Sequence, residues 1–172
     1  MIHKAVFLDR DGVLNVDDPN YTYLVEKFRI VPGVVQALQQ LKAAGYHLIV
    51  VTNQSGIAQG IYTRAQMEAC HQYLQQECGH LIDHFYFCPY HPSVSASIAR
   101  KPGTLMFEKA IAKFNVDVAL SWMVGDRGRD IIPARQLGIK TIQIGNEIEP
   151  DQMADIKVDD LLQASRVILQ KS

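Results

Sequence analysis

Four short polar groups in the 172-residue sequence carry the residue types of phosphoryl chemistry, and each lies just beyond, or a short stretch beyond, a run of apolar residues. The first is Asp9-Arg10-Asp11-Gly12-Val13-Leu14-Asn15, directly after Ala5-Val6-Phe7-Leu8. Two carboxylates two residues apart in extended chain point to the same side, and Gly12 lets the chain turn just past them. Such a pair suits one nucleophile that also binds a metal, Asp9, and one general acid/base beside it, Asp11. The second group, Thr52-Asn53-Gln54-Ser55-Gly56, offers a hydroxyl and then exposed amides, a good seat for phosphate oxygens. The third, Arg100-Lys101-Pro102, places a lysine that can neutralise charge during transfer. The fourth, Gly125-Asp126-Arg127-Gly128-Arg129-Asp130, supplies further oxygen ligands for a divalent cation, with Asp130 also suited to cap a helix. Each group alone fits ordinary turn chemistry. Their joint occurrence does not.

The elements that would position these groups alternate between strand and helix. The strand-like runs are 5–8, 46–51, 85–87, 122–124 and 140–144, and the first two are almost continuously apolar, as in a parallel sheet covered on both faces. Between them, Val34, Leu38 and Leu41 repeat at helical spacing, opened by Pro32-Gly33 and closed by Gly45. Thr63 with Gln66 reads as a capping box for the stripe Met67, Cys70, Leu74 and Cys78. Further helical stripes are Phe107 to Phe114, Ile131 to Leu137, and Leu161 to Ile168. The expected fold is therefore α/β: one domain over 1–172, a three-layer parallel sheet with helices on both faces. Ligands of such sheets bind beyond the carboxyl ends of the strands, where the polar groups cluster.

Composition narrows the partners. The formal net charge of −1 provides no basic tract for nucleic acid and no polybasic tether for a membrane surface. No apolar stretch approaches the ~20 residues of a membrane span, and the N-terminus has no signal-peptide pattern. Three cysteines, Cys70, Cys78 and Cys88, form no disulfide framework, so a reduced, cytoplasmic setting is expected. The expected partner is a small phosphorylated metabolite, met by a monomer.

With its four motifs in order from Asp9 to Asp130, the chain resembles the haloacid dehalogenase superfamily of phosphatases over essentially its whole length. Asn15-Val16-Asp17, Thr52 to Ala58, Cys88-Pro89 with His91, and Arg100-Lys101-Pro102 resemble the small branch without a large cap domain, which holds the heptose bisphosphate and histidinol-phosphate phosphatases. The resemblance implies a Rossmann-like fold and a Mg²⁺-dependent phosphomonoester hydrolase of carbohydrate metabolism. Its expected substrate is D-glycero-D-manno-heptose 1,7-bisphosphate, with histidinol phosphate or another small metabolite as the alternative. It implies Asp9 as the nucleophile that becomes aspartyl-phosphate, Asp11 as acid/base, and Thr52 and Lys101 on the phosphoryl oxygens. It also implies Mg²⁺ on Asp9, the Asp11 carbonyl and Asp126, with Asp130 behind them. Asn53 and Arg100 are expected at the substrate, together with Asp17, Tyr21, Gln54 and Ser55.

The chain departs from the branch pattern at the zinc loop. The usual cysteine pair is replaced by Ser97 and Ala99, leaving Cys88 and His91, with Cys78, His80 and His84 nearby in sequence. Zinc is not expected, since a structural site takes four ligands. A DNA-end 3′-phosphatase is disfavoured by the charge. A non-catalytic phosphate-binding module is disfavoured because all four motif positions are chemically competent.

Overall fold

The computed structural model describes residues 1–145 and 154–171. Six parallel strands form one sheet in the order β3-β2-β1-β4-β5-β6. They are β1 Ala5–Leu8, β2 His47–Asn53, β3 His84–Cys88, β4 Trp122–Gly125, β5 Lys140–Ile144 and β6 Ile156–Val158. The helices are α1 Val34–Ala43, α2 Arg64–Glu77, α3 Leu105–Phe114, α4 Gly128–Gln136 and α5 Leu161–Gln170. No helix among the described residues is long and apolar enough to cross a membrane.

β1 is fully buried because both of its faces are covered. Val6 and Leu8 enter one core with Leu38 and Leu41 of α1, Cys70 and Leu74 of α2, and Leu161 and Ile168 of α5. Ala5 and Phe7 enter the other, with Phe107 and Ala110 of α3 and Ala134 of α4. This alternation along one strand is what makes three layers. Burying each leucine or phenylalanine contributes about 1.5–3 kcal/mol, so the strand that carries Asp9 at its end is firmly anchored.

The strand order reverses direction at β1: β2 lies on one side and β4 on the other. The crevice beyond the carboxyl end of β1 is therefore the topological switch point of the sheet. The expected α/β architecture is what forms, including the Thr63–Gln66 capping box of α2. Two elements differ from the sequence reading. β6 was not among the expected strands, being three residues long and only half buried at the sheet edge. α4 begins at Gly128 rather than at Ile131, because its first turn is capped through Asp130 and carries no apolar stripe.

Candidate active site

The carboxyl ends of β1, β2 and β4 and the loop after β3 bring the four polar groups together. Asp9 continues β1, its backbone N–H donating to Val124 O at 3.0 Å, so its side chain leaves the sheet beside β4. Asp9 is 2% exposed and Lys101 1%. The Lys101 ammonium lies 2.9 Å from Asp9 Oδ1, 2.5 Å from Asp130 Oδ1, and donates to Val51 O at 2.8 Å. Burial opposes its charge, but Asp130 and Asp9 outweigh burial and hold the ammonium above its ordinary pKa.

Asp9, Asp126 and Asp130 each place an oxygen within 4.8 Å of the others. Three carboxylates face one buried ammonium, with the partly exposed Arg127 Nε 3.4 Å from Asp126 Oδ2 as a further counter-charge, so negative charge remains in excess. The pKa values carry that imbalance. Burial, then Asp130, push the Asp9 carboxyl up to about 7 against the pull of Lys101, with Asp126 adding to the rise. Burial and Asp130 push Asp126 up to about 6. Asp126 Oδ1 is buried without a hydrogen-bond partner among the described residues, whereas Asp130 is engaged through both oxygens, Oδ1 by Lys101 and Oδ2 by the Arg127 N–H at 3.1 Å. An orphaned carboxylate oxygen, a second carboxylate beside it and an excess of negative charge fit a hard divalent cation with oxygen ligands. Gly12 is part of that fit: it has φ +83°, and a Cβ there would lie 2.2 Å from Asp126 Oδ2.

Asp11 is held differently. Its Oδ1 accepts from Arg10 Nη2 at 2.7 Å, Arg10 Nε at 3.2 Å and Asn15 Nδ2 at 2.9 Å, and its Oδ2 accepts from Gln54 Nε2 at 3.1 Å. Burial works to raise its pKa, but the Arg10 charge and the hydrogen bonds together hold it below the usual carboxylate value. The sequence reading did not single out Arg10. It alternates to the inner side of the chain between the two aspartates, is 1% exposed, and ties the following loop through Thr22 O at 2.7 Å. Two carboxylates so near one another need a counter-charge, and the residue between them was the signal.

The other expected residues divide into two kinds. Asp17, Tyr21, Ser55 and Arg100 line a cleft of about 400 Å³ above Asp11, joined by Arg127 and Arg129. Asp17 lies 3.4 Å from Arg127 Nη2, and Arg100 donates to Tyr90 O at 3.2 Å. Burial and then the like charge of Arg129 press the Arg100 pKa down. Asn53 and Gln54 border the same cleft, but their amides are bonded to the protein. Asn53 Oδ1 accepts from the Lys101 N–H at 3.0 Å and its Nδ2 donates to Lys101 O at 3.1 Å. Gln54 Nε2 reaches Thr52 Oγ1 at 2.9 Å as well as Asp11, and its Oε1 accepts from the Tyr62 hydroxyl at 2.6 Å.

The residues weighed for zinc are spread over several elements: Cys88 ends β3 in the core, His91 Nδ1 lies 2.6 Å from Ser93 Oγ, and Cys78 Sγ contacts Gln75. Asp9, Asp126 and Asp130 are the metal-ligand cluster found among the described residues. A larger hollow of about 510 Å³ lies between α2 and β3, lined by Met67, His71 and Phe85. It is open and away from the carboxylates, so the chemistry belongs to the smaller cleft.

Comparison with known proteins agrees with this geometry. The family model of the haloacid dehalogenase-like hydrolases matches residues 5–138. The D-glycero-beta-D-manno-heptose-1,7-bisphosphate 7-phosphatase of Haemophilus ducreyi is 38% identical over 92% of this chain and 94% of its own. The enzyme of the same name from Escherichia coli K12 is 36% identical over 86% of this chain and 83% of its own. The D,D-heptose 1,7-bisphosphate phosphatase from B. bronchiseptica, solved with magnesium and phosphate, superposes with a TM-score of 0.88 at 26% identity, covering 98% of this chain and 99% of its own. The chain belongs to the haloacid dehalogenase-like hydrolases and is a phosphatase related to their heptose bisphosphate branch.

Proposed function

We propose that the protein removes one phosphate from a sugar bisphosphate, D-glycero-β-D-manno-heptose 1,7-bisphosphate, with Asp9 as the nucleophile. The observation that carries the reading is the buried group of Asp9, Asp126 and Asp130 around Lys101, with its excess negative charge and its unpartnered Asp126 oxygen. Asp9 and Asp126, with the Asp11 carbonyl, would hold Mg²⁺, which when bound supplies charge neutralisation at the phosphoryl oxygens. An Asp9 oxygen attacks phosphorus and the bond to the ester oxygen breaks. Asp11, whose depressed pKa is raised by the arriving phosphate dianion so that it takes up a proton from water, delivers that proton to the ester oxygen. Water then attacks the aspartyl-phosphate, Asp11 takes its proton, and the Asp9 carboxylate is regenerated. Thr52 and Lys101 hold the non-bridging oxygens through both steps.

The bisphosphate follows from the relatives' shared substrate name and from the rim of the cleft. Arg100 and Arg129 line the same cleft, and the Arg129 charge helps press the Arg100 pKa down, so this rim offers the positive charge that suits a second phosphate. Asp17 and Tyr21 stand across the same cleft for sugar hydroxyls.

The test is Mg²⁺-dependent phosphate release across a panel: both anomers of the heptose bisphosphate, histidinol phosphate and common hexose phosphates. The heptose bisphosphate should give the highest kcat/KM, and Asp9→Asn should give none. A higher kcat/KM for histidinol phosphate, whose leaving group carries no second phosphate, would overturn the substrate assignment; full activity in Asp9→Asn would overturn the mechanism.

A further inference from the structure

Tyr62 touches neither the carboxylates nor Lys101, yet a chain of hydrogen bonds runs from it to Asp11. Its hydroxyl donates to Gln54 Oε1 at 2.6 Å, and Gln54 Nε2 donates to Asp11 Oδ2 at 3.1 Å and to Thr52 Oγ1 at 2.9 Å. Tyr62 and Gln54 are 4% and 2% exposed, so water does not compete for these groups.

The direction of the chain is set at its carboxylate end. Ionised Asp11 can only accept, and it meets the Gln54 amide through Oδ2 at 3.1 Å. The NH₂ end of Gln54 must therefore face Asp11 and Thr52. Its carbonyl end is left for the phenol, which donates to it. A primary amide on its own could sit either way round; here the acceptor-only carboxylate decides. Gly56 is fitted to the phenol ring, since a Cβ there would lie 2.2 Å from Tyr62 Cε1. The Tyr62 ring is also stacked on Tyr23, centroids 5.1 Å apart and 8° from parallel, which helps hold the phenol in place.

The other end of the chain meets an unevenly loaded carboxylate. Asp11 Oδ1 accepts three donors, whereas Oδ2 accepts Gln54 alone. A carboxylate oxygen has two lone pairs, so Oδ1 is full and Oδ2 has one position open for a proton.

We infer that Tyr62 is a positioning residue for the acid/base step: through Gln54 it fixes the rotation of the Asp11 carboxylate so that Oδ2 is the oxygen that gives and takes the proton. The inference rests on the acid/base role proposed for Asp11. When the bond from phosphorus to the ester oxygen breaks, its electron pair stays on that oxygen, which takes the Oδ2 proton. The attacking water returns a proton to Oδ2 in the second step.

Leaving-group dependence tests this. kcat/KM runs only as far as the first irreversible step, in which Asp11 is the acid. A sugar alkoxide needs that proton, and a p-nitrophenolate does not. The readout is the ratio of kcat/KM for the sugar phosphate hydrolysed fastest in the panel to that for p-nitrophenyl phosphate. Tyr62→Phe keeps the stacked ring and should lower the ratio about tenfold, a part of the typical acid/base contribution. Gln54→Met breaks the chain one link nearer and should lower it at least as far, with Tyr62→Phe adding nothing in that background. Either variant suffices if the other does not fold. An unchanged ratio, or equal loss on both esters, overturns the relay. Asp11→Asn separates the two ideas: if it lowers the ratio and Tyr62→Phe does not, the relay fails and the Asp11 role stands. If Asp11→Asn leaves the ratio unchanged, the acid role itself fails, and the relay with it.

Discussion

The Asn53 side chain grips the backbone of Lys101 from both directions, Oδ1 accepting its N–H at 3.0 Å and Nδ2 donating to its carbonyl at 3.1 Å. Lys101 comes from a loop, not from the sheet, and this pair of bonds ties that loop to the end of β2. The ammonium is placed by its own backbone being held. Asn53→Ala removes both bonds and is expected to lower kcat about tenfold to a hundredfold with little change in KM, since small misplacements of a charge at the reacting centre are costly. Asn53→Asp should be worse, because one carboxylate oxygen would face the Lys101 carbonyl. Steady-state kinetics of the two variants check this; a rise in KM at constant kcat would instead make Asn53 a substrate contact.

How far the sequence speaks follows from the same pair. Strand ends and their polar clusters were legible because hydrophobic period and turn chemistry are local: Asp9 meets Lys101 and Asp126, and Thr52 is joined to Asp11 through Gln54. Asn53 and Gln54 look like substrate residues from their place beside Thr52. Their amides face partners 48 and 43 residues away, which no local pattern encodes. Arg10 was passed over for a related reason: a charged residue in a turn is ordinarily solvated, and only the folded chain buries it against Asp11 and Thr22. β6 was missed because a three-residue edge strand has too few apolar positions to show a period.

Lys101 lies between Asp9 and Asp130 with its side chain fully enclosed. Removing one partner of a buried pair leaves the other charges uncompensated, a loss of about 3–5 kcal/mol in typical cases. Lys101→Met keeps the stem and removes the ammonium. It is expected to abolish turnover and to lower the stability of the metal-free protein by that order in denaturant unfolding. Lys101→Met with wild-type stability would mean that the carboxylates are neutralised by something other than the lysine.

Asp126 makes a prediction whose sign depends on the metal. Without a cation its charge adds to those of Asp9 and Asp130, and its Oδ1 has no partner. With a cation that charge becomes a ligand. Asp126→Asn should therefore melt at the same temperature as the wild-type protein, or higher, in EDTA, and lower in millimolar Mg²⁺. The Mg²⁺-induced rise in melting temperature, which follows ligand binding to the folded state, should be lost in the variant along with activity. Equal Mg²⁺ shifts in both proteins would remove Asp126 from the ligand set.

His71 governs stability on the acid side. Its ring is stacked on Phe85, centroids 4.5 Å apart and 15° from parallel, and its Nε2 is buried without a partner. Burial, followed by the nearby charge of Arg10, pushes its pKa down from 6.5 to about 3, while Asp11 pulls weakly the other way. Between those two values the unfolded chain binds a proton that the folded chain does not, so stability rises with pH across this window and is lost as pH falls from about 6.5 toward 3. At pH 5 the loss from this one group is roughly 2 kcal/mol, at about 1.4 kcal/mol per pKa unit. His71→Phe keeps an aromatic ring on Phe85 and removes the titration. Urea unfolding from pH 8 to pH 4.5 should show the variant gaining on the wild-type protein as the solution is acidified, with the gap opening below pH 6.5. Two curves running parallel through that range would mean that the imidazole is protonated in the fold, and that a partner for Nε2 has been created by local rearrangement around Phe85.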